Sequence, residues 1–299
     1  MKITVFTATY NRGYIIEAAY RSLRRQTVKD FEWIVIDDGS TDNTKDLFRE
    51  WEKDNSNGFV LRYFYIPNGG KMRAANKAYK IAKGELFLYL DSDDYLTDDC
   101  IESIISWEQT IHDMRDSYCG VAGLRCHFDG SIIGTTFEGD YLDASTLERK
   151  KYGISGDRVE VFYTDIIQKY PFPEFEDEKF IGEGIMWNKI CYCEKKILRW
   201  YNKGIYCCEY IEDGYSAHTF ELSCKNPQGI AYTVRESIKM ENPSFLEKMQ
   251  LWHKYYLVAL HNGYSSKKIK QDLGLSNAEY VSLAIGHCIS RLRKKRMSS

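Results

Sequence analysis

Three aspartates stand within four positions in the run Asp91-Ser92-Asp93-Asp94. Asp91 and Asp93 are two apart, so in extended chain they project to the same side. Two anions held that close repel each other and raise each other's pKa unless a cation lies between them. Carboxylate oxygens suit a hard divalent ion such as Mg²⁺ or Mn²⁺, with substrate phosphates completing its shell. The run follows Leu86-Phe87-Leu88-Tyr89-Leu90, five apolar residues that read as a strand buried on both faces. Open α/β sheets bind ligands at the carboxyl ends of such strands. The spacing therefore points to a site for a divalent metal and a phosphate. An acidic turn capping the next helix has the same composition, so the neighbouring loops must decide.

Three more polar loops precede it. Asn68-Gly69-Gly70-Lys71 stands just before a helical pattern, where free N–H groups, a helix dipole and an ammonium suit phosphate. Arg73 and Asn76, on the first turns of that helix, add donors. Thr9-Tyr10-Asn11-Arg12 follows a first strand, Ile3 to Thr7, and Tyr10 is suited to stacking on a nucleobase. Asp37 to Asp42 follows a second strand, Trp33 to Ile36, and Asp38 is placed to accept from a base N–H. A packed tyrosine, a capping aspartate and a glycine turn with a solvated lysine are the plain alternatives.

The elements that must position these loops alternate. Helical spacing runs from Ile15 to Arg25, from about Thr44 to Lys53 and through Ala74, Ala75, Ala78 and Ile81. A third strand covers Arg62 to Ile66. Strands and helices alternating over short connections predict a mostly parallel sheet covered on both faces, with every loaded loop delivered to one edge.

The chain has 299 residues, a formal net charge of -2, and 23 Tyr and 14 Phe. That length allows one sizeable domain plus an appendage, and the charge gives no global drive toward nucleic acid. No stretch reads as a secretory signal or approaches the roughly 18 apolar residues of a membrane span. The nine cysteines match neither zinc nor redox spacing, which predicts reduced thiols in a cytoplasmic protein.

Taken in order, Thr9-Tyr10-Asn11-Arg12, Gln26-Thr27, Ile36 through Asp42, Asn68 through Lys71, Ala75-Asn76 and Leu90 through Asp94 resemble the second family of nucleotide-sugar glycosyltransferases. Ala8 departs from that pattern, which usually has proline there. The resemblance implies a GT-A fold: Rossmann-like α/β, a mostly parallel sheet with helices on both faces, here with a carboxyl-terminal helical extension. It implies that Thr9, Tyr10 and Asp38 bind the nucleoside, usually uridine, with Arg12, Asn68, Gly69, Lys71, Arg73, Asn76 and Ser92 among the donor contacts. Asp91 would lie near the ribose and metal, and Asp93 would ligate Mn²⁺ or Mg²⁺ through the DxD motif. It further implies an inverting displacement, in which an acceptor hydroxyl attacks the anomeric carbon and a carboxylate takes its proton. Relatives commonly carry Glu-Asp before a late helix; here the pair is Glu183-Gly184, and Glu183 is the expected base, with Asp177 or Glu178 as substitutes. His218 is a further metal candidate, since some enzymes of this fold use a late histidine.

These readings divide the chain into a glycosyltransferase domain, 1–225, and a helical region, 226–299. Within the first, 1–118 would bind the nucleotide-sugar and 119–225 would face the acceptor. The last predicted helix, Ala278 to Arg296, joins an apolar stretch to Arg291-Leu-Arg-Lys-Lys-Arg296, a pairing suited to an anionic membrane surface or to a docked helix with a solvated tail. The expected function is transfer of a hexose, from a UDP-sugar by preference, to a growing glycan or lipid-linked acceptor in cell-surface polysaccharide synthesis. A nucleotide-sugar binding protein without a base is the non-enzymatic alternative. A phosphohydrolase with Asp91 as nucleophile fits less well, because Tyr95 stands where that class needs Thr or Val.

Overall fold

A computed structural model describes residues 1–54, 56–209 and 219–297, with backbone alone for 290–297. The chain forms two compact units, one of Met1–Glu174 with Met186–Ile211 and one of Phe175–Ile185 with Glu212–Ser299.

The first unit starts with the expected alternation: β1 (Ile3–Thr9), α1 (Glu17–Arg25), β2 (Phe31–Asp37), α2 (Thr44–Trp51), β3 (Val60–Tyr65), α3 (Lys71–Ile81) and β4 (Leu86–Tyr89). β1, β2 and β4 are apolar runs buried along almost their whole length, as central strands covered on both faces must be. β1 pairs in parallel with β2 and β4, and β2 with β3. All four carboxyl ends therefore lie at one edge. The helices return the chain by burying one stripe each, Ala19, Tyr20 and Leu23 on α1 and Met72, Ala75 and Tyr79 on α3.

Beyond β4 the sheet changes character. β5 (Tyr95–Leu96) and α4 (Cys100–Gln109) precede β6 (Tyr118–Cys126), β7 (Tyr141–Ala144), β8 (Arg158–Tyr163), the single turn α5 (Thr164–Ile167), α6 (Gly184–Glu194) and β9 (Ile197–Cys207). The strand order is β3-β2-β1-β4-β8-β6-β9-β5, with β7 paired to β9. β8 is antiparallel to both β4 and β6, β6 and β9 are parallel, and β5 and β7 run antiparallel to β9. Parallel pairing thus dominates the first half and mixed pairing the second. Asp129-Gly130 makes a turn, with Gly130 at φ 86° and an isolated bridge between Cys126 and Ile132. Trp187 and Trp200 are core residues. Trp187 packs against Tyr89, Phe162 and Phe172, and Trp200 donates from Nε1 to the Ala144 carbonyl. All nine cysteines are free thiols.

The second unit holds α7 (Thr219–Lys225), α8 (Pro227–Glu241), α9 (Phe245–His261), α10 (Ser266–Leu273) and α11 (Asn277–Met297); α8 to α11 occupy the region expected to be helical, and α7 precedes it. Val234, Trp252, Tyr255, Ile269 and Leu283 form its core. Ser244 and Glu247 build a capping box at the start of α9. No helix among the described residues is long and apolar enough to cross a membrane.

Candidate active site

The polar loops at the sheet edge are tied to one another. After β1, the Asn11 backbone N–H donates to Ser40 Oγ and the Thr41 N–H donates to Asn11 Oδ1, both at 2.8 Å. Asn11 takes a left-handed conformation, φ 52°, one that asparagine tolerates better than most residues. After β2, Asp37 is fully buried and accepts from the Ser40 N–H at 2.7 Å and from the Tyr63 hydroxyl. Asp38, also buried, accepts from the N–H groups of Gly69 (2.7 Å) and Gly70 (2.8 Å) and from Asn68 Nδ2 (3.1 Å). A base N–H and a phosphate were the partners expected for these groups; in this structure Asp38 and the glycine amides meet each other. Gly70 starts α3 at φ 93°, a conformation that a side chain would strain.

Lys71 reaches from the start of α3 to Asp91 Oδ1, and its ammonium also lies 5.9 Å from the Tyr89 ring centroid. Arg12 Nη2 stands 4.0 Å from Asp93 Oδ2. The acidic run therefore meets cations from the first and third loops. Burial works against charge on Asp91, but Lys71 and Arg125 hold its carboxyl below the usual range. Burial and the charge of Asp91 push Asp93 up, with Arg12 opposing. The same two causes push Asp94 up to about 7. Ser92 is buried between these carboxylates in the chain.

Asp93 fits a divalent ion better than Asp91 does. Lys71 pairs directly with Asp91, whereas the Arg12 guanidinium stands 4.0 Å from Asp93, whose anionic neighbour Asp91 a cation would screen. No third His, Cys or carboxylate closes a three-ligand set around it among the described residues. That is ordinary for Mg²⁺-type sites, which take one or two carboxylates and leave the rest to water and phosphate.

Around this centre, Tyr10 is half exposed, while Thr9 is buried with no hydrogen-bond partner for its Oγ1 among the described residues. Asn76 faces the segment before α6. Its Nδ2 donates to the Phe172 carbonyl and to Glu174 Oε1, both at 2.9 Å, and its Oδ1 accepts from the Phe172 N–H at 2.8 Å. Arg73 Nε lies 3.4 Å from Glu174 Oε2. In the second unit, Glu183 is partly buried immediately ahead of α6. Glu178 accepts from the N–H groups of Gln228 (2.7 Å) and Gly229 (2.8 Å) and so caps α8. Asp177 is exposed at φ 59°. His218 lies outside the described residues.

Two residues at the acidic run escaped the sequence reading, Arg125 on β6 and Tyr206 on β9. The Tyr206 hydroxyl donates to Asp94 Oδ2 at 2.7 Å, across a chain separation that no local pattern signals.

Residues 4–120 match the family model described as Glycosyl transferase family 2. The poly(ribitol-phosphate) beta-glucosyltransferase of Bacillus spizizenii is 37% identical over 109 residues, 36% of this chain and 17% of that protein. A GalNAc(5)-diNAcBac-PP-undecaprenol beta-1,3-glucosyltransferase of Campylobacter jejuni is 28% identical over 196 residues, 62% of this chain and 58% of that one. The chain thus spans less than two thirds of either relative. The crystal structure of S. aureus TarS 1-349 in complex with UDP-GlcNAc superposes with a TM-score of 0.60 at 19% identity, covering 95% of this chain and 89% of that one. A Pyrobaculum calidifontis mannosyltransferase solved with GDP-Man and Mn²⁺ gives 0.56 at 17% identity, covering 99% and 82%. Residues 4–120 thus resemble glycosyl transferase family 2, and the likeness to the solved structures shows a GT-A fold.

Proposed function

We propose that the protein is an inverting, metal-dependent glycosyltransferase that moves a hexose from a UDP-sugar to a hydroxyl of a growing glycan or lipid-linked acceptor in cell-surface polysaccharide synthesis. The observation that carries this is the joined sheet edge, where Asp38 binds the glycine amides, Lys71 meets Asp91 and Arg12 faces Asp93. The names of the relatives support sugar transfer onto phosphate-containing or lipid-linked acceptors, and the neighbours solved with UDP-GlcNAc or with GDP-Man and Mn²⁺ support the donor and the ion.

In this reading Tyr10 stacks on the base while Thr9 and Asp38 line the nucleoside subsite. Lys71 and Arg12 face the diphosphate. Asp93 and Asp91 would hold Mn²⁺ or Mg²⁺, which would supply electrostatic stabilisation for the leaving group. The acceptor oxygen forms a bond to the anomeric carbon as the carbon–oxygen bond to the diphosphate breaks and the electron pair leaves with it. The hydroxyl proton passes to a carboxylate, for which we assign Glu183; Glu178 is engaged by α8. We assign the work to a cytoplasmic membrane surface, a reading that the exposed stripe of α11 and the basic sequence after it support.

The test is a panel of nucleotide sugars screened for Mn²⁺-dependent hydrolysis and thermal stabilisation of the full chain. A single donor should stand out, because binding raises apparent stability with affinity and concentration. No stabilisation by any nucleotide sugar with Mn²⁺ would end the proposal.

A further inference from the structure

Strands β6 and β9 contribute none of the groups so far assigned to donor binding, yet both end against the acidic run. Tyr206 is fully buried, one residue before the end of β9. Its hydroxyl accepts from the Asp91 backbone N–H at 2.9 Å and donates to Asp94 Oδ2 at 2.7 Å. Arg125 is its register partner on β6, with the guanidinium carbon 4.3 Å from the Tyr206 ring centroid. Arg125 Nη1 lies 3.9 Å from Asp91 Oδ2 and 3.8 Å from Asp94 Oδ2, and its Nε donates to the Arg158 carbonyl at 3.2 Å.

Those geometries divide the work between the two side chains. One hydroxyl bridges both ends of a four-residue loop, to the main chain at Asp91 and to the carboxylate at Asp94. Removing it would leave a buried donor and a buried acceptor unmet. The Arg125 contacts to the carboxylates are too long for hydrogen bonds. Its contribution is charge, held in place by the ring beneath it and the carbonyl behind it. Neither side chain is offered as a contact to the donor, so neither is a catalytic residue.

We propose that Tyr206 and Arg125 are positioning residues for the acidic loop. Tyr206 fixes the loop's shape, Arg125 offsets its crowded negative charge, and together they present Asp93 to the metal and diphosphate. The inference rests on the donor-binding reading above. It makes strands of the distal half of the domain responsible for the metal affinity of the proximal half.

The test uses the full chain. Mn²⁺ binding is read by electron paramagnetic resonance, UDP binding by calorimetry with and without Mn²⁺, and kcat and KM with the donor that wild type turns over. Tyr206→Phe keeps the ring under Arg125 and loses only the hydroxyl. We expect Mn²⁺ affinity and kcat each to fall about 10–100-fold, the range for groups that orient metal ligands, with the acceptor KM unchanged. Arg125→Lys should retain more Mn²⁺ affinity than Arg125→Met. Wild-type Mn²⁺ affinity and kcat in Tyr206→Phe would overturn the proposal. So would Arg125→Lys and Arg125→Met variants equal in Mn²⁺ affinity, since packing alone would then explain the pair; that comparison decides the matter if Tyr206→Phe fails to fold. A wild type that binds no UDP with Mn²⁺ takes down the donor reading and this inference together, a result distinct from wild-type binding by the variant.

Discussion

Asp38 directs both carboxylate oxygens at the amides of Gly69 and Gly70, so the second and third loops form one hydrogen-bonded unit. Truncating a buried acceptor of two N–H groups leaves both donors unmet. Asp38→Ala should therefore lower unfolding stability by about 2–3 kcal/mol and weaken UDP binding with it; urea titration and calorimetry check both, and an unchanged midpoint would show that water replaces the carboxylate. Glu183 is tested separately, because a base acts on the acceptor. Glu183→Gln should lower kcat by about 10²–10⁴-fold at unchanged donor KM, and undiminished turnover would clear it of the role. At this scale adjacency was what sequence could show. Asp91 and Asp93 announce themselves by lying two apart, and Lys71 by following two glycines. Tyr206 is 112 residues from Asp94, and Arg125 becomes its partner only through a register shift between Leu124 and Arg125 in the pairing of β6 with β9. No spacing rule carries that information.

Elements are held by ion pairs as well as by their apolar stripes. Glu108, near the end of α4, is fully buried, with Lys2 Nζ 2.8 Å from Oε2, His112 Nδ1 2.7 Å from Oε1 and the Tyr163 hydroxyl donating at 3.1 Å. Lys2 also reaches Glu85 at 2.7 Å. Glu85, Glu108 and His112 come together as metal-type ligands, but the Lys2 ammonium already joins the two carboxylates, so the cluster locks β1 and β4 to α4. Burial alone would raise the Glu108 pKa; the bonds from Lys2 and His112 bring it below the usual value. A depressed carboxyl contributes stability above its unfolded pKa and loses it as pH falls through the folded one. Stability should therefore decline below about pH 4.3, the ordinary glutamate value. Lys2→Met should cost about 2–3 kcal/mol at pH 7, less than a fully sealed pair because His112 and Tyr163 remain. Acid titration of both proteins by circular dichroism checks this, and identical acid midpoints would remove the cluster from the account. The parallel elements were legible because each strand is a short apolar block ending in a polar loop. β9 was not. Its eleven residues carry Arg199, Asn202, Lys203 and Gly204, and its pairing with β6 shifts register three times, which breaks the alternation that marks a strand.

For the whole molecule, the sequence marked a helical region after residue 225 but not which apolar residues its helices leave uncovered. Val281, Ile285 and Ile289 recur every four positions along α11 and are each about half exposed, forming one stripe on one face. The sequence then continues through Arg291, Arg293, Lys294, Lys295 and Arg296. An apolar stripe followed by clustered positive charge suits the surface of an anionic bilayer, where each basic residue near the lipid contributes about 1 kcal/mol. Such a surface is also where a transferase would meet a lipid-linked acceptor. Vesicles rich in anionic lipid should therefore sediment the full chain, and added salt should release it. A chain ending at Arg291 loses four of the five basic residues and should bind at least about tenfold more weakly, given that contribution per residue. Replacing Val281, Ile285 and Ile289 with serine should weaken binding to anionic vesicles while leaving its salt dependence intact, since the charge is untouched. Equal sedimentation of the full chain, the shortened chain and the serine variant would mean that α11 does not meet the bilayer, and its stripe would then need a protein partner.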